Sequence, residues 1–363
     1  MSENISIKHA KDLKLPTGIL ALDLSADAKT AYVSCFDGGV YAVALENGER
    51  HELGKHDSFA SGVALLANSP LVVSAGFDGA LHWHDTTERK TIRKIAAHNF
   101  WSWQLASNCG AGFQPASEPL IASVTGQYIC GGYKYEPLPE REPSVRVYDA
   151  KTGELRHSFS HVPPVQSVAF SSDGKFLAAG NLMGEVRVWE LSTGKQIANW
   201  TTPSFTGWGI IKGHYYTGGI FALHFAEKDE HLVLAGMGST TDPAAGNGKQ
   251  LWQRYSWRDG KKLGETTDGD SGKGLMETLA FHPGGKTFVM GGRLENGKWT
   301  LSLFDAKTGS AIQSIDTKSR VTKALFTRDG SKLILGETLG QAKPDKDKIP
   351  DWGRISIYTV ESA

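Results

Sequence analysis

Several side chains in this chain of 363 residues are of types that do chemistry, and their spacing decides which chemistry each could serve. His82 and His84 stand two residues apart, so on a strand they point the same way, as two metal ligands can. No cysteine or carboxylate spacing supports them as ligands, and a hydrogen-bonded polar role accounts for the pair. The fragments Ala96-Ala97-His98 and Gly269-Asp270-Ser271-Gly272 imitate a serine hydrolase. Nucleophilic catalysis needs the serine beside a histidine that a carboxylate orients, and Ser271 sits in a turn of Asp, Gly and Ser. Gly272-Lys273-Gly274 lacks the Ser/Thr and the spaced upstream glycine of a phosphate loop. Gly236-Met237-Gly238 precedes no helical pattern, so a dinucleotide fingerprint fails as well.

Bulk composition narrows the field. Thirty-nine basic residues balance 39 acidic ones, whereas a protein that binds by phosphate neutralisation usually carries a basic excess. No nucleic-acid partner is expected. No stretch approaches the roughly 18 apolar residues of a membrane helix, so no membrane partner is expected either. Cys35, Cys109 and Cys130 form no C-x-x-C pair and are odd in number, which predicts free thiols rather than a disulfide framework. The opening Met-Ser-Glu-Asn-Ile-Ser-Ile lacks the apolar core of a secretory signal, and the expected compartment is cytoplasmic.

The elements that must position these residues are legible as a repeat. Val165-Gln-Ser-Val-Ala-Phe-Ser-Ser-Asp-Gly-Lys-Phe-Leu-Ala-Ala-Gly180 is followed by Glu185-Val-Arg-Val-Trp-Glu-Leu-Ser-Thr-Gly194, and other copies keep that skeleton. The third strand of each copy, aligned on its last large residue, gives Val43, His84, Tyr148, Trp189, Tyr255, Phe304 and Tyr358. Two intervals of 41 residues set the basic unit, and the others carry insertions. Val186-Arg187-Val188-Trp189 alternates with the period of a half-buried strand, and Asp-Gly, Asn-Gly and Thr-Gly pairs supply tight turns. A period near 40 predicts stacked strand-turn-strand units.

The pattern resembles the WD-repeat family of β-propellers over nearly the whole chain. His98 and His161 match the family's histidine, and Asp37 and Asp78 match its turn aspartate. Trp189-Glu190, Tyr148-Asp149, His84-Asp85 and Phe304-Asp305 stand in for Trp-Asp. No copy keeps the full His, Ser/Thr, Asp and Trp set, and Met183 occupies the aspartate place beside Trp189. The Asp-x-x-Thr-Gly turns also occur in the quinoprotein class of propellers, which leaves the subfamily open. The resemblance implies an all-β, seven-bladed β-propeller of four-stranded antiparallel blades. Residues 1–363 then form one domain, with units 13–49, 50–90, 91–154, 155–195, 196–261, 262–310 and 311–363. After Tyr358 too few residues remain for a fourth strand, so residues 4–10 should close the ring beside Gly353 to Val360.

Insertions mark where such a ring carries function, because loops tolerate length and strands do not. Tyr133–Pro143, Ser239–Gly248, Arg293–Gly297 and Thr338–Trp352 lie between second and third strands, and Phe205–Gly219 precedes a first strand. Those two connection types emerge at one end of a blade, so the five should crown one face, while Asn108–Pro119 lies opposite. The crown holds Tyr133, Tyr135, Trp208, Tyr215, Tyr216 and Trp352, with Arg141 nearby, and Trp101 and Trp103 should open toward it. Aromatic residues and arginine carry binding energy in protein interfaces, although such rings also pack long loops down.

Around the channel, one level should hold Leu20, Trp101, Gln166, Phe221, Glu277 and Thr322, and the inner strands offer only Asp23, Glu277 and His224 as ligand types. That is too few, at different heights, for a catalytic metal. The family resemblance therefore implies a non-catalytic scaffold binding a protein or peptide, with no cofactor and no metal. The alternative is a lactonase-like, metal-assisted propeller hydrolase using Glu277 with loop histidines such as His214.

Overall fold

The computed structural model describes residues 5–109, 118–127, 139–208, 216–237, 250–265, 274–294, 299–339 and 352–362. Nearly all of this is strand, and the single turn of 3-10 helix at Pro203–Phe205 is the only helical element among the described residues. Local sequence explains the strands. In Glu185–Glu190, Val186 and Val188 are buried while Arg187 between them is partly exposed. The turn before Phe176–Asn181 is built by its own residues: Ser171 donates to Asp173, Asp173 accepts the Lys175 N–H, and Gly174 takes φ +70°.

Four consecutive strands make a blade. In the first blade they are Ile19–Leu24, Thr30–Cys35, Gly39–Ala44 and Arg50–Lys55, each antiparallel to the next. The remaining inner strands are Ala60–Leu65, Trp101–Ser107, Val165–Phe170, Tyr216–Ala226, Gly274–Phe281 and Arg320–Phe326. The seven blades form a ring in which each inner strand neighbours the next and the last neighbours the first. Blades five and six also share a pairing, Met237 with Leu275. The insertion before blade five is itself partly strand, since Thr206–Trp208 pairs with Tyr216–Gly218, which the loop reading of Phe205–Gly219 missed.

Seven hydrophobic clusters hold the described core, and each spans one blade-to-blade junction. Among the described residues no core cluster is central to the ring; every blade is buried by its two neighbours. Close approach is part of this. A Cβ added to Gly336 of blade seven would lie 2.9 Å from Ile19 Cγ2 of blade one.

Ring closure is as expected from the sequence, and longer. Ile5–Leu15 pairs antiparallel with Gly353–Ser362, from Ile5 opposite Ser362 to Leu15 opposite Gly353. Ile5 and Ile7 enter the junction of blades six and seven. Ile7 also exchanges two 2.9 Å hydrogen bonds with the Gln313 side chain of blade six. Ser356 donates to Asp12 at 2.8 Å, and Tyr358 meets the His9 ring edge-on at 5.4 Å.

Candidate functional site

All seven inner strands slip register by one residue at the same place, leaving an extra residue: Leu20, Ser61, Trp103, Gln166, Phe221, Glu277 and Thr322. Such bulges bend a strand and re-aim a side chain. Trp103, not Trp101, is thus the level-mate of Leu20 and Glu277. Several of these side chains clasp the next blade. Ser61 donates to the Ser102 carbonyl at 2.6 Å, and Thr322 donates to the Ile19 carbonyl at 2.8 Å. Glu277 accepts both Nε and Nη2 of Arg320 across blades six and seven.

The other channel candidates are also committed. Asp23 accepts the N–H groups of Leu24 at 2.8 Å and Leu65 at 2.7 Å, and its burial pushes its pKa up. His224 stacks on Phe281 at 4.6 Å, and burial lowers its pKa to about 4. A general base must be free to take a proton from substrate, whereas Glu277 is held bidentate by a guanidinium.

The histidines staple blades. In blade two, His56 donates from Nδ1 to Asp78 at 3.0 Å and accepts at Nε2 from Ser74 at 2.8 Å. Ser74 in turn accepts from Nε2 of His84 at 2.8 Å, and Nδ1 of His84 accepts from Thr91 at 3.0 Å. This neutral-ring tautomer set serves these four contacts, while the Leu53 carbonyl, 3.2 Å from His84 Nδ1, is an acceptor that it does not serve. His82 stacks on His56 at 3.8 Å with planes 5° apart, and burial lowers its pKa to about 3. His56, Asp78 and His82 each bring one ligand atom within 4.8 Å of the others, the one such group among the described residues. They fit a metal poorly. Both His56 nitrogens are engaged, and two parallel rings at stacking distance cannot both aim in-plane lone pairs at one ion.

What the folded chain leaves open is aromatic. Trp352 lies 5.0 Å from Phe36, Phe36 lies 5.1 Å from Phe59, and Phe59 lies 5.6 Å from Phe77. Phe77 stacks on Trp101 at 5.2 Å and on Trp103 at 5.6 Å. The band crosses blades seven, one, two and three. Each ring stands on, or at the edge of, a connection between second and third strands or before an inner strand, so all share one face. Phe59 is 41% and Trp101 38% exposed. Gly18 makes room for the first step, because a Cβ there would lie 2.9 Å from the Trp352 ring and 3.1 Å from Phe36. At the blade-three end an open hollow of about 410 Å³ lies among Phe77, Asn99, Phe100, Trp101, Gln127 and Arg141. The Arg141 guanidinium sits 5.9 Å above the Phe100 ring.

Residues 153–190 match the WD domain, G-beta repeat family. With a seven-bladed ring around that repeat, the assignment follows. The chain is a seven-bladed β-propeller that carries a WD repeat. Serine-threonine kinase receptor-associated protein of Gallus gallus is 39% identical over 132 residues, which make up 36% of this chain and 30% of that protein. The propeller thus spans less than a third of that relative's length in the matched region. WD-repeat propellers typically serve as protein-interaction scaffolds. No helix among the described residues is long and apolar enough to cross a membrane.

Of the residues predicted to bind, the propeller brings Trp101, Arg141 and Trp352 onto the band. Trp208 and Tyr216 pair with each other on adjacent strands, described by backbone only. Tyr133, Tyr135 and Tyr215 lie outside the described residues, as do Cys130, His214, Ser271 and most of the inserted segments. Cys35 and Cys109 are free and buried. Sequence reading missed Phe36, Phe59, Phe77 and Phe100. A signal was present: Phe36-Asp37-Gly38 recurs as Phe77-Asp78-Gly79 one 41-residue unit later. It also missed His56 as the blade-two histidine. With His84 in the tryptophan place, blade two keeps the hydrogen-bonded set that no copy seemed to hold in full.

Proposed function

We propose that this propeller is a non-catalytic scaffold that captures a protein or peptide on the face bearing the aromatic band. The observation that supports this is the band itself: exposed and half-buried rings continuous over four blades, resting on one another. Contiguous exposed apolar surface of this kind marks interaction sites, and rings already stacked lose little freedom on binding. The anchors are Phe36, Phe59, Phe77, Trp101 and Trp352, with Arg141 orienting. Tyr133, Tyr135, Trp208, Tyr215 and Tyr216 belong to the same proposed face by their connection types.

The avian relative's name records association with a serine-threonine kinase receptor. We carry over only the kind of partner, a protein. A cytoplasmic location suits the unpaired Cys35 and Cys109. Residues 1–363 are proposed to act as one domain, in the units given above.

An affinity capture from the native cell, read by mass spectrometry, tests the reading. The double variant Phe36→Ala/Phe59→Ala should lose the proteins retained by the parent while keeping its circular dichroism. Undiminished capture by the folded double variant would reject this face.

A further inference from the structure

Resting on the protein-binding reading, we infer that the hollow between blades two and three fixes the register of the bound segment. It takes an apolar side chain and an adjacent carboxylate on an extended peptide.

The walls supply the apolar half. Phe77 and Trp101 stack with planes 6° apart, a flat surface already fixed before any ligand arrives. The volume, about 410 Å³, falls in the range of roughly 300–1,000 Å³ typical of ligand pockets.

Arg141 supplies the charged half. Its neighbours in sequence are both acidic, yet both carboxylates are spent inside the fold. Glu140 accepts from Ser144 Oγ at 2.8 Å, from Ser160 and from the His161 N–H at 3.1 Å. Glu142 accepts from the Asn99 backbone at 2.9 Å, from the Asn99 side chain at 3.0 Å and from Arg146 at 3.2 Å. Arg141 itself is pinned by its backbone N–H, which donates to Gln127 Oε1 at 2.6 Å. Its side chain is exposed, and among the described residues no carboxylate lies within ion-pair distance of it. A guanidinium held over a ring, with no carboxylate partner among the described residues, matches a carboxylate bidentately.

Charge along the band chooses one carboxylate over a dianion. Asp57, on the connection just before Phe59, is exposed, and no hydrogen bond to its carboxylate exists among the described residues. Asp37 is exposed as well. A single negative group at Arg141 leaves the rest of the segment free to be neutral or basic beside these two aspartates.

The test uses the full chain and fluorescein-labelled hexapeptides read by anisotropy. The probes are Gly-Ser-Trp-Glu-Ser-Gly and the same peptide with Gln for Glu, Ala for Trp, or phosphoserine for Glu. The parent should bind the Trp-Glu peptide about tenfold more tightly than the Trp-Gln or Ala-Glu peptide. Arg141→Ala should erase the Glu/Gln difference, and Arg141→Lys should restore part of it. Equal affinity for the Glu and Gln peptides, no binding of either, or an undiminished ratio in Arg141→Ala would overturn the inference. Binding of the phosphoserine peptide alone would overturn the choice of a carboxylate. The broader reading fails separately: a folded Phe36→Ala/Phe59→Ala variant that still captures partners refutes the face, whatever Arg141 does.

Discussion

The channel wall and the aromatic band divide the propeller's reactive and adhesive residues between them. On the wall and in the blade staples, groups that could titrate or ligate are held by partners: Glu277 by Arg320, Asp23 by two backbone N–H groups, His56 by Asp78 and Ser74. On the band, Phe59 and Trp101 rest on other rings and are 41% and 38% exposed. Polar chemistry here stabilises the ring, and exposed surface is left for association. Stability and binding should therefore respond to different residues.

Deleting residues 1–12 breaks the ring that carries both regions. Most of the pairing with Gly353–Ser362 is lost and a blade edge opens, so the melting temperature should fall by on the order of 10 °C. An unchanged melting curve would refute the closure.

Acid should attack the interior region alone. Burial lowers the pKa of His82, His98 and His161 to about 3 and of His84 and His224 to about 4, against ~6.5 in an unfolded chain. Protons then bind the unfolded state more readily, and stability present in full above pH ~6.5 is lost as pH falls toward these folded values. Each group contributes a slope of ~1.4 kcal/mol per pH unit in that window. Urea unfolding at pH 7, 6 and 5 should show it, and a flat profile would sink the account of buried neutral histidines.

His56→Ala removes one link of the blade-two chain and leaves Ser74 and Asp78 short of a partner, at a cost of about 2–3 kcal/mol. A loss below ~0.5 kcal/mol in urea titration would mean that the network is not a staple. Phe59→Ala should give the reverse signature. Its ring is 41% exposed, so stability should fall by less than ~1 kcal/mol, while partner retention on an affinity column drops sharply. Equal damage to folding and retention would erase the distinction drawn between the two regions.

Much of the ring was legible because its turns are chemical. Ser171-Ser172-Asp173-Gly174 carries its own hydrogen bonds, so the hairpin is written locally and recurs in sequence. The band was harder to read. Phe36 and Phe77 look like the last apolar residue of a strand, and only tertiary stacking reveals that they face outward together. His56 is revealed as a staple by its partners Asp78 and Ser74, contacts that its local sequence does not announce. The bulges on the inner strands are backbone events that no residue type announces, and in blade three the level of Leu20 and Glu277 falls at Trp103, two residues beyond Trp101.

Ring closure joins Ile5 to Ser362, and this sets an order on synthesis. Ile5–Leu15 has no partner until Gly353–Ser362 has left the ribosome, so six blades can assemble while the seventh waits. A ribosome stalled before Gly353 would hold a chain with a bare sheet flank and a loose leading strand, both open to chaperones or to a neighbouring nascent chain. Emergence of Gly353–Ser362 is then the event that locks the wheel.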